Sequence, residues 1–517
     1  MFKKFLSTVL CLILVCGMVM PIASAAETEI YPVVYVTGYG PNIFAEKGNI
    51  NSEVYYPTGA DVGAIVKEAM APCLKELAAG IVTGNYDKYC DELYNSIHPI
   101  YENLVLAPDG TPKDNSGRGE NPNEIFLDYT RFTGGEETFP YDWRLSPETS
   151  ADELDKFIDT MLAATGAKKV NIIARCLGGN VVSAYLQNYA SASEKVDKVI
   201  MFIPSTEGIN MIGALFSGQV KIDAAALDDY LEEYTKYEPF IDDPATKDFI
   251  NVMVSILEQA KVLGLGTDVL QKLIDSIKDN LFPRLIRRSY GSFPSFWAMV
   301  PAEYFEDAIE FVYNTPELKA EYAGTIQKAR SFQENIMANA RKCITDLSDK
   351  IEISVISKYN IPVMPIFPDC HNTSDGTAET YLTSFGATTA DFGKTLSAEY
   401  ISAMSEDSKR FLSPDEKIDA STCVLPERTW FVKNSYHDHF PANIDKLIDV
   451  ILTSEIDVFS SADYSQFLDA GESPDKLVPV AGKDPEKPAD DSKEGLFDML
   501  ARFIRSVIQF FAKLFKF

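Results

Sequence analysis

The sequence predicts an α/β protein: a mostly parallel sheet flanked by helices, carrying one large helical insertion. Three observations predict it. Short continuous apolar runs read as strands buried on both faces; segments of helical spacing alternate with them; and one such run passes into a helix through a turn of small residues.

Val33-Val34-Tyr35-Val36 is the first run, and Thr37-Gly38-Tyr39-Gly40 after it reads as a glycine-rich turn. Helical spacing with a few breaks follows over 59–105, and a polar Pro/Gly/Asp/Asn loop over 107–124. Its acidic residues do not have the spacing of a calcium loop. A helix over about 150–164 precedes the strand Val170-Asn171-Ile172-Ile173-Ala174; a helix over 178–190 precedes the strand Lys198–Ile203. Residues from about 209 to 355 are mostly helical and read as a cap over the site. Strand-like runs resume at Ile361–Phe367 and at Thr429-Trp430-Phe431-Val432.

The ends of the chain differ from this body. Lys3 and Lys4, the apolar run Phe5–Met20 and Ala23-Ser24-Ala25 have the layout of a cleavable bacterial export segment over 1–25. The run is too short for a stable membrane span, and Val15 is too bulky for a lipoprotein signal at Cys16. The body, 26–470, is long enough to bury a large core without disulfides. Residues 471–494 read as a disordered Pro/Lys/Asp/Glu linker. Residues 495–517 read as an amphipathic helix, with Leu496, Leu500, Phe503, Ile504, Val507, Ile508 and Phe511 on one side and Arg502, Arg505, Lys513 and Lys516 largely on the other. Such a helix suits the interface of an anionic membrane. The chain is therefore expected to be secreted or held at the cell surface.

The net charge of −29 excludes a general nucleic-acid binder, because phosphate contacts need a basic surface. Outside the leader the cysteines are Cys73, Cys90, Cys176, Cys343, Cys370 and Cys423. They form no CxxC pair, so neither zinc nor another metal or cofactor is indicated, and at most two disulfides could form beside a free Cys176. Oligomeric state is not readable.

The chemistry concentrates at Ile172-Ile173-Ala174-Arg175-Cys176-Leu177-Gly178-Gly179. A tight strand-to-helix turn lifts its central side chain above the sheet only where the residues two before and two after are small. Ala174 and Gly178 satisfy that, giving A-x-C-x-G in place of G-x-S-x-G. This makes the fold an α/β-hydrolase, with cysteine in the nucleophile position. A thiolate is the reactive form of cysteine, and a helix N-terminus favours it. Leu177 and Tyr39 are placed to supply the two N–H groups of an oxyanion hole. The base and acid should follow in the order nucleophile, acid, base. Of the 4 histidines, His98 precedes the nucleophile and His371 precedes the last strand-like run. His437 is the expected base, with His439 its rival. Asp415 in Ser413–Asp419 is the expected acid, with Asp419 and Asp375 as alternatives.

Phe139-Pro140-Tyr141-Asp142-Trp143-Arg144-Leu145 contains the unusual string YDWR and resembles the lecithin:cholesterol acyltransferase-like family. Pro204-Ser205-Thr206-Glu207-Gly208 resembles that family's P-x-x-G turn, and Ser295-Phe296-Trp297 with Pro301 its S-x-x-W-x-x-P segment. Pro414–Ile418 sits where the family carries its G-D-G-T-V acid loop. The likeness touches segments from about Val33 to Phe440. It implies a capped α/β-hydrolase acting on lipid esters, with Cys176 as nucleophile, Asp415 as acid and His437 as base. The chain departs from the pattern in its cysteine, in Ala174, and in an acid loop without glycine. Cysteine in this position is similar to that of dienelactone hydrolases and polyhydroxyalkanoate synthases, and a thioester can be passed to acceptors other than water.

The leading expectation is therefore an extracytoplasmic acyl hydrolase or acyltransferase working on an amphiphilic acyl substrate. A catalytically inactive, membrane-attached binding protein on the same scaffold is the alternative, since fold alone does not establish activity. A cysteine peptidase is a third reading.

Overall fold

The apolar runs form the centre of one twisted sheet. In the computed structural model the described residues are 29–40, 43–55, 72–73, 75–221, 226, 230, 272–273, 275–365, 367–368, 370–441, 443–460, 463–471 and 477–483. The leader 1–25, much of the cap and the amphipathic segment 495–517 lie outside them.

Eight strands are hydrogen-bonded in one sheet: β1 (Val33–Val36), β2 (Glu136–Thr138), β3 (Val170–Arg175), β4 (Val196–Phe202), β5 (Glu352–Tyr359), β6 (Thr429–Lys433), β7 (Phe467–Asp469) and β8 (Val478–Pro479). Their spatial order is β8-β7-β6-β5-β4-β3-β1-β2. Every pair is parallel except β7 with β8. Helices α1 (Asp87–Ile97), α2 (Pro147–Thr165), α3 (Leu177–Asn188) and α4 (Asn210–Phe216) follow the chain through the first half.

Alternate strand residues serve two cores, as the period of two requires. Val34, Val36, Ile172 and Met201 pack with Leu154 and Phe157 of α2 and Val181 of α3. Val33, Ile173 and Ile200 pack on the other face against Ile444, Leu447, Ile448 and Ile451 of helix Ile444–Thr453. With both faces covered, the strands need no polar side, which is why they read as unbroken apolar runs.

Three expectations are corrected here. The sheet strand after the cap is β5, Glu352–Tyr359, and only Ile361–Pro362 of the predicted 361–367 run is strand, in a small separate pair with Thr373–Ser374. The cap therefore ends before Glu352 rather than at about 355. β5 was hidden because it carries Ser354, Ser357 and Lys358, all fully buried. The polarity of Ser357 and Lys358 is met internally, as in the 2.6 Å hydroxyl contact between Ser357 and Thr383. The linker expectation also fails over 477–483: Val478–Pro479 closes the sheet edge antiparallel to β7, and Leu477 and Val480 are buried beside it.

The YDWR string braces the site from below. Tyr141 Oη donates to the Thr37 carbonyl at 2.7 Å, pinning the turn after β1. Arg144 grips Asp142 through Nε (3.0 Å) and Nη2 (2.7 Å), and also donates to the Leu104 carbonyl and Ser116 Oγ. Arg144 is 1% exposed, so removing it strands a buried carboxylate. Arg144→Met is expected to lower the unfolding free energy by about 3–5 kcal/mol, read as a fall in urea midpoint; an unchanged midpoint would show that the pair does not hold these loops.

Candidate active site

The Cys176 turn is built by crowding. Cys176 sits between β3 and α3 with φ 50° and ψ −120°, a conformation costly for a residue with a Cβ. A Cβ on Gly178 would lie 2.2 Å from the Val36 carbonyl oxygen, and one on Gly179 would lie 2.6 Å from Pro204 Cβ. From the other side a Cβ on Gly38 would come within 3.0 Å of Cys176 Cβ. The end of β1 thus lies directly against the nucleophile turn. Leu177 is the first residue of α3, so its N–H is one of the helix's unpaired N-terminal donors. Gly38 and Tyr39 line the same cavity as Cys176. Trp143 holds the Tyr39 ring edge-on at 4.6 Å and Phe296 of the cap at 5.3 Å.

His437 follows β6 and lies beside Cys176, 6% exposed. Its Nδ1 faces Asp375 Oδ2 at 2.6 Å, and its backbone N–H donates to the Asp375 carbonyl at 2.8 Å. The other carboxylate oxygen, Oδ1, accepts the N–H groups of Thr377 (2.9 Å) and Ala378 (2.8 Å). Gly376 has φ +88° in this turn, and a Cβ there would meet Tyr436 at 2.3 Å. The aspartate paired with His437 is therefore Asp375 and not the expected Asp415. Asp415 is fully buried elsewhere, 3.0 Å from Lys433 Nζ and accepting from Tyr359 Oη at 3.1 Å. Asp419 accepts from Tyr400 Oη and the Ser421 N–H. The missed signal was Ser374-Asp375-Gly376-Thr377-Ala378, which holds the D-G-T core of the G-D-G-T-V pattern; 414–418 shares only its aspartate. His98 is stacked on Tyr94, far along the chain from these turns.

The electrostatics favour a charged histidine. Burial alone would lower its pKa, but Asp375, then the Cys176 sulfur and their hydrogen bonds, outweigh it and push His437 up to about 10. Burial pushes Asp375 up, yet the attraction of His437 and its bonds hold the carboxyl below the ordinary carboxylate value. Arg175 does not turn toward the sulfur: its Nη2 donates to Asp438 Oδ1 at 2.5 Å and its guanidinium covers the Phe440 ring.

Above these groups opens a cavity of about 1020 Å³ including its mouth, with mostly apolar walls. Met211, Leu215 and Phe216 of α4 and Tyr290, Phe296 and Met299 of the cap line it. Among the described residues no group of three or more His, Cys, Asp or Glu could hold a metal ion, and Cys73, Cys90, Cys176, Cys343, Cys370 and Cys423 form no disulfide.

A parallel sheet covered on both faces, a strained residue at the β3–α3 turn and a His–Asp pair after β6 and β5 define an α/β-hydrolase. Residues 136–370 match the family model described as Lecithin:cholesterol acyltransferase, a match that supports a lecithin:cholesterol acyltransferase-like family and indicates an enzyme of acyltransferase or esterase type. The matched stretch includes YDWR and the Cys176 turn; Asp375 and His437 lie beyond it. A comparison with curated proteins returned no match.

Asp375→Asn is expected to drop the His437 pKa from about 10 toward its ordinary value, read by NMR of the imidazole, whereas Asp415→Asn leaves it in place. The histidine's raised value also contributes stability that is full below its unfolded value of 6.5 and is lost as pH rises through about 10. Urea midpoints of the unsubstituted protein should fall across that window, and those of Asp375→Asn should fall less. The reverse ranking of the two aspartates would return Asp415 to the acid's place.

Proposed function

We propose that the protein is an extracytoplasmic acyl hydrolase or acyltransferase that uses Cys176, His437 and Asp375 and passes through a thioester acyl-enzyme. The observation that carries the reading is the pairing of His437 with Asp375 beside Cys176 at the floor of an apolar cavity.

The chemistry follows from the geometry. The Cys176 sulfur attacks the carbonyl carbon of the acyl ester, forming a C–S bond and an oxyanion. The N–H groups of Leu177 and Tyr39 face that oxygen. As the carbonyl re-forms, the C–O bond to the alcohol breaks and the protonated His437 gives its proton to the leaving oxygen. His437, now neutral, takes a proton from water or from an acceptor alcohol, whose oxygen attacks the thioester; the sulfur leaves as thiolate. Asp375 holds the ring in orientation and offsets the imidazolium charge. Apolar walls suit an acyl chain, which loses little by leaving water for them. The export segment at 1–25 supports action outside the cytoplasm, and the basic, amphipathic segment 495–517 supports attachment to an anionic membrane surface.

Intact-mass spectrometry of the mature protein after exposure to short- and long-chain acyl esters and thioesters, beside Cys176→Ala, tests this. An acyl adduct that disappears in Cys176→Ala is the expected result. Absence of any adduct, together with a Cys176 that resists thiol electrophiles and no turnover, would leave the inactive binding protein as the better reading.

A further inference from the structure

One buried cation faces the base from behind and has no part in the steps above. Lys358, on β5, is fully buried. Its Nζ donates to three main-chain carbonyls of the loop that carries the base: Tyr436 at 2.8 Å, His437 at 3.0 Å and His439 at 2.7 Å. Rings of Phe202 and Phe440 lie 5.4 and 5.1 Å from it. Its own carbonyl accepts from Thr380 Oγ1 at 2.8 Å, which ties β5 to the residues just after the acid turn.

We propose that Lys358 is the positioning residue for the base: its ammonium clamps the 436–439 loop by three carbonyls and so seats the His437 imidazole between Asp375 and Cys176. The inference rests on His437 serving as base. An ammonium has three N–H donors, one for each carbonyl, and no lone pair turned toward any of them. A neutral amine keeps two donors, so deprotonation frees one carbonyl and turns a lone pair toward it. A buried carbonyl without a donor costs free energy, and the loop shifts to recover one.

The charged groups facing Lys358 are Asp375 of the acid turn, Arg175 of the nucleophile turn and Asp438 of the base loop. Burial pulls its pKa down; Asp375 and Asp438 resist and Arg175 assists, leaving it at about 7. The clamp is therefore closed at mildly acid pH and opens as pH rises through about 7, well before His437 loses its proton near 10. Glu379 is the rival group in that range, because burial and Asp375 push it up to about 7.

The test is the rate of Cys176 acylation by p-nitrophenyl butyrate across about pH 5.5–9.5, with adduct mass as a check. The unsubstituted protein is expected to lose rate on an alkaline limb near 7. Lys358→Met should acylate about 10- to 100-fold more slowly at acid pH, as for a base misplaced by about 1 Å, with KM little changed and the limb gone. Lys358→Arg, charged at every pH, should keep more rate than Lys358→Met and also lose the limb. Glu379→Gln should retain it. A limb that survives in both lysine variants, or vanishes in Glu379→Gln, overturns the clamp.

Imidazole NMR of Lys358→Met supplies a readout independent of acyl chemistry. Loss of a nearby cation by charge alone would raise the His437 pKa, whereas an unseated ring loses Asp375 and its pKa falls. A lowered value supports the clamp; an unchanged or raised one overturns it. Should the unsubstituted protein form no adduct at Cys176, the acyl-transfer reading fails, and this titration still decides whether Lys358 holds the histidine.

Discussion

The contact on which the site depends is the approach of α3 to the end of β1. The Val36 carbonyl oxygen lies where a Cβ of Gly178 would be, at 2.2 Å, so only glycine lets the helix begin there. From that approach follow the strained backbone at Cys176, the helix N-terminus beside the sulfur and the closeness of the turn after β1 to Cys176. The surrounding structure holds the strain in place. Tyr141 fixes the turn from one side, and Asn180 of α3 is tied to the cap by donating to the Ala298 carbonyl at 2.9 Å. A backbone conformation that costs free energy persists because packing on several sides leaves it no relaxed alternative.

Around this apolar frame the chain buries several charges, and each is answered within a few ångströms. Asp142 has Arg144, Asp375 has His437, Asp415 has Lys433, and Lys358 has three carbonyls. Pairs of this kind add little net stability over apolar packing, but each is expensive to break. They act as constraints on geometry, which is what a site assembled from three separate loops requires.

Strands β1, β3, β4 and β6 and the turn at Cys176 were legible in the sequence because their residues face apolar neighbours on both sides and so carry one signal throughout. Small residues at 174 and 178 located the strand-to-helix turn at Cys176, and a position just past a strand located His437. β5 was not legible as the sheet strand: Ser354, Ser357 and Lys358 break the apolar run, and the partners of Ser357 and Lys358 come from segments remote in sequence. The aspartate partner of His437 was misplaced for a related reason. Asp375 and Asp415 both sit in turns beside short strands, Thr373–Ser374 and Ile418–Asp419, and both end up fully enclosed; what separates them is the identity of the facing cation, a property of the folded chain. The short D-G-T string at 375–377 was the one local clue. The residues from 477 to 483 were misread as linker because Leu477 and Val480 are too few to make a pattern.

The order of strands has a kinetic meaning. Cys176 follows β3, but Asp375 and His437 follow β5 and β6, which join the sheet only after the cap, more than a hundred residues long, has been looped out between β4 and β5. Closing so long a loop delays the pairing of β5 against β4 relative to contacts within β1–β4, which α2 and α3 can cover early. The thiol is thus placed before its histidine arrives. During that interval the helix N-terminus already favours the thiolate of Cys176 while nothing beside it yet holds a proton, so the sulfur is poised before His437 and Asp375 reach it.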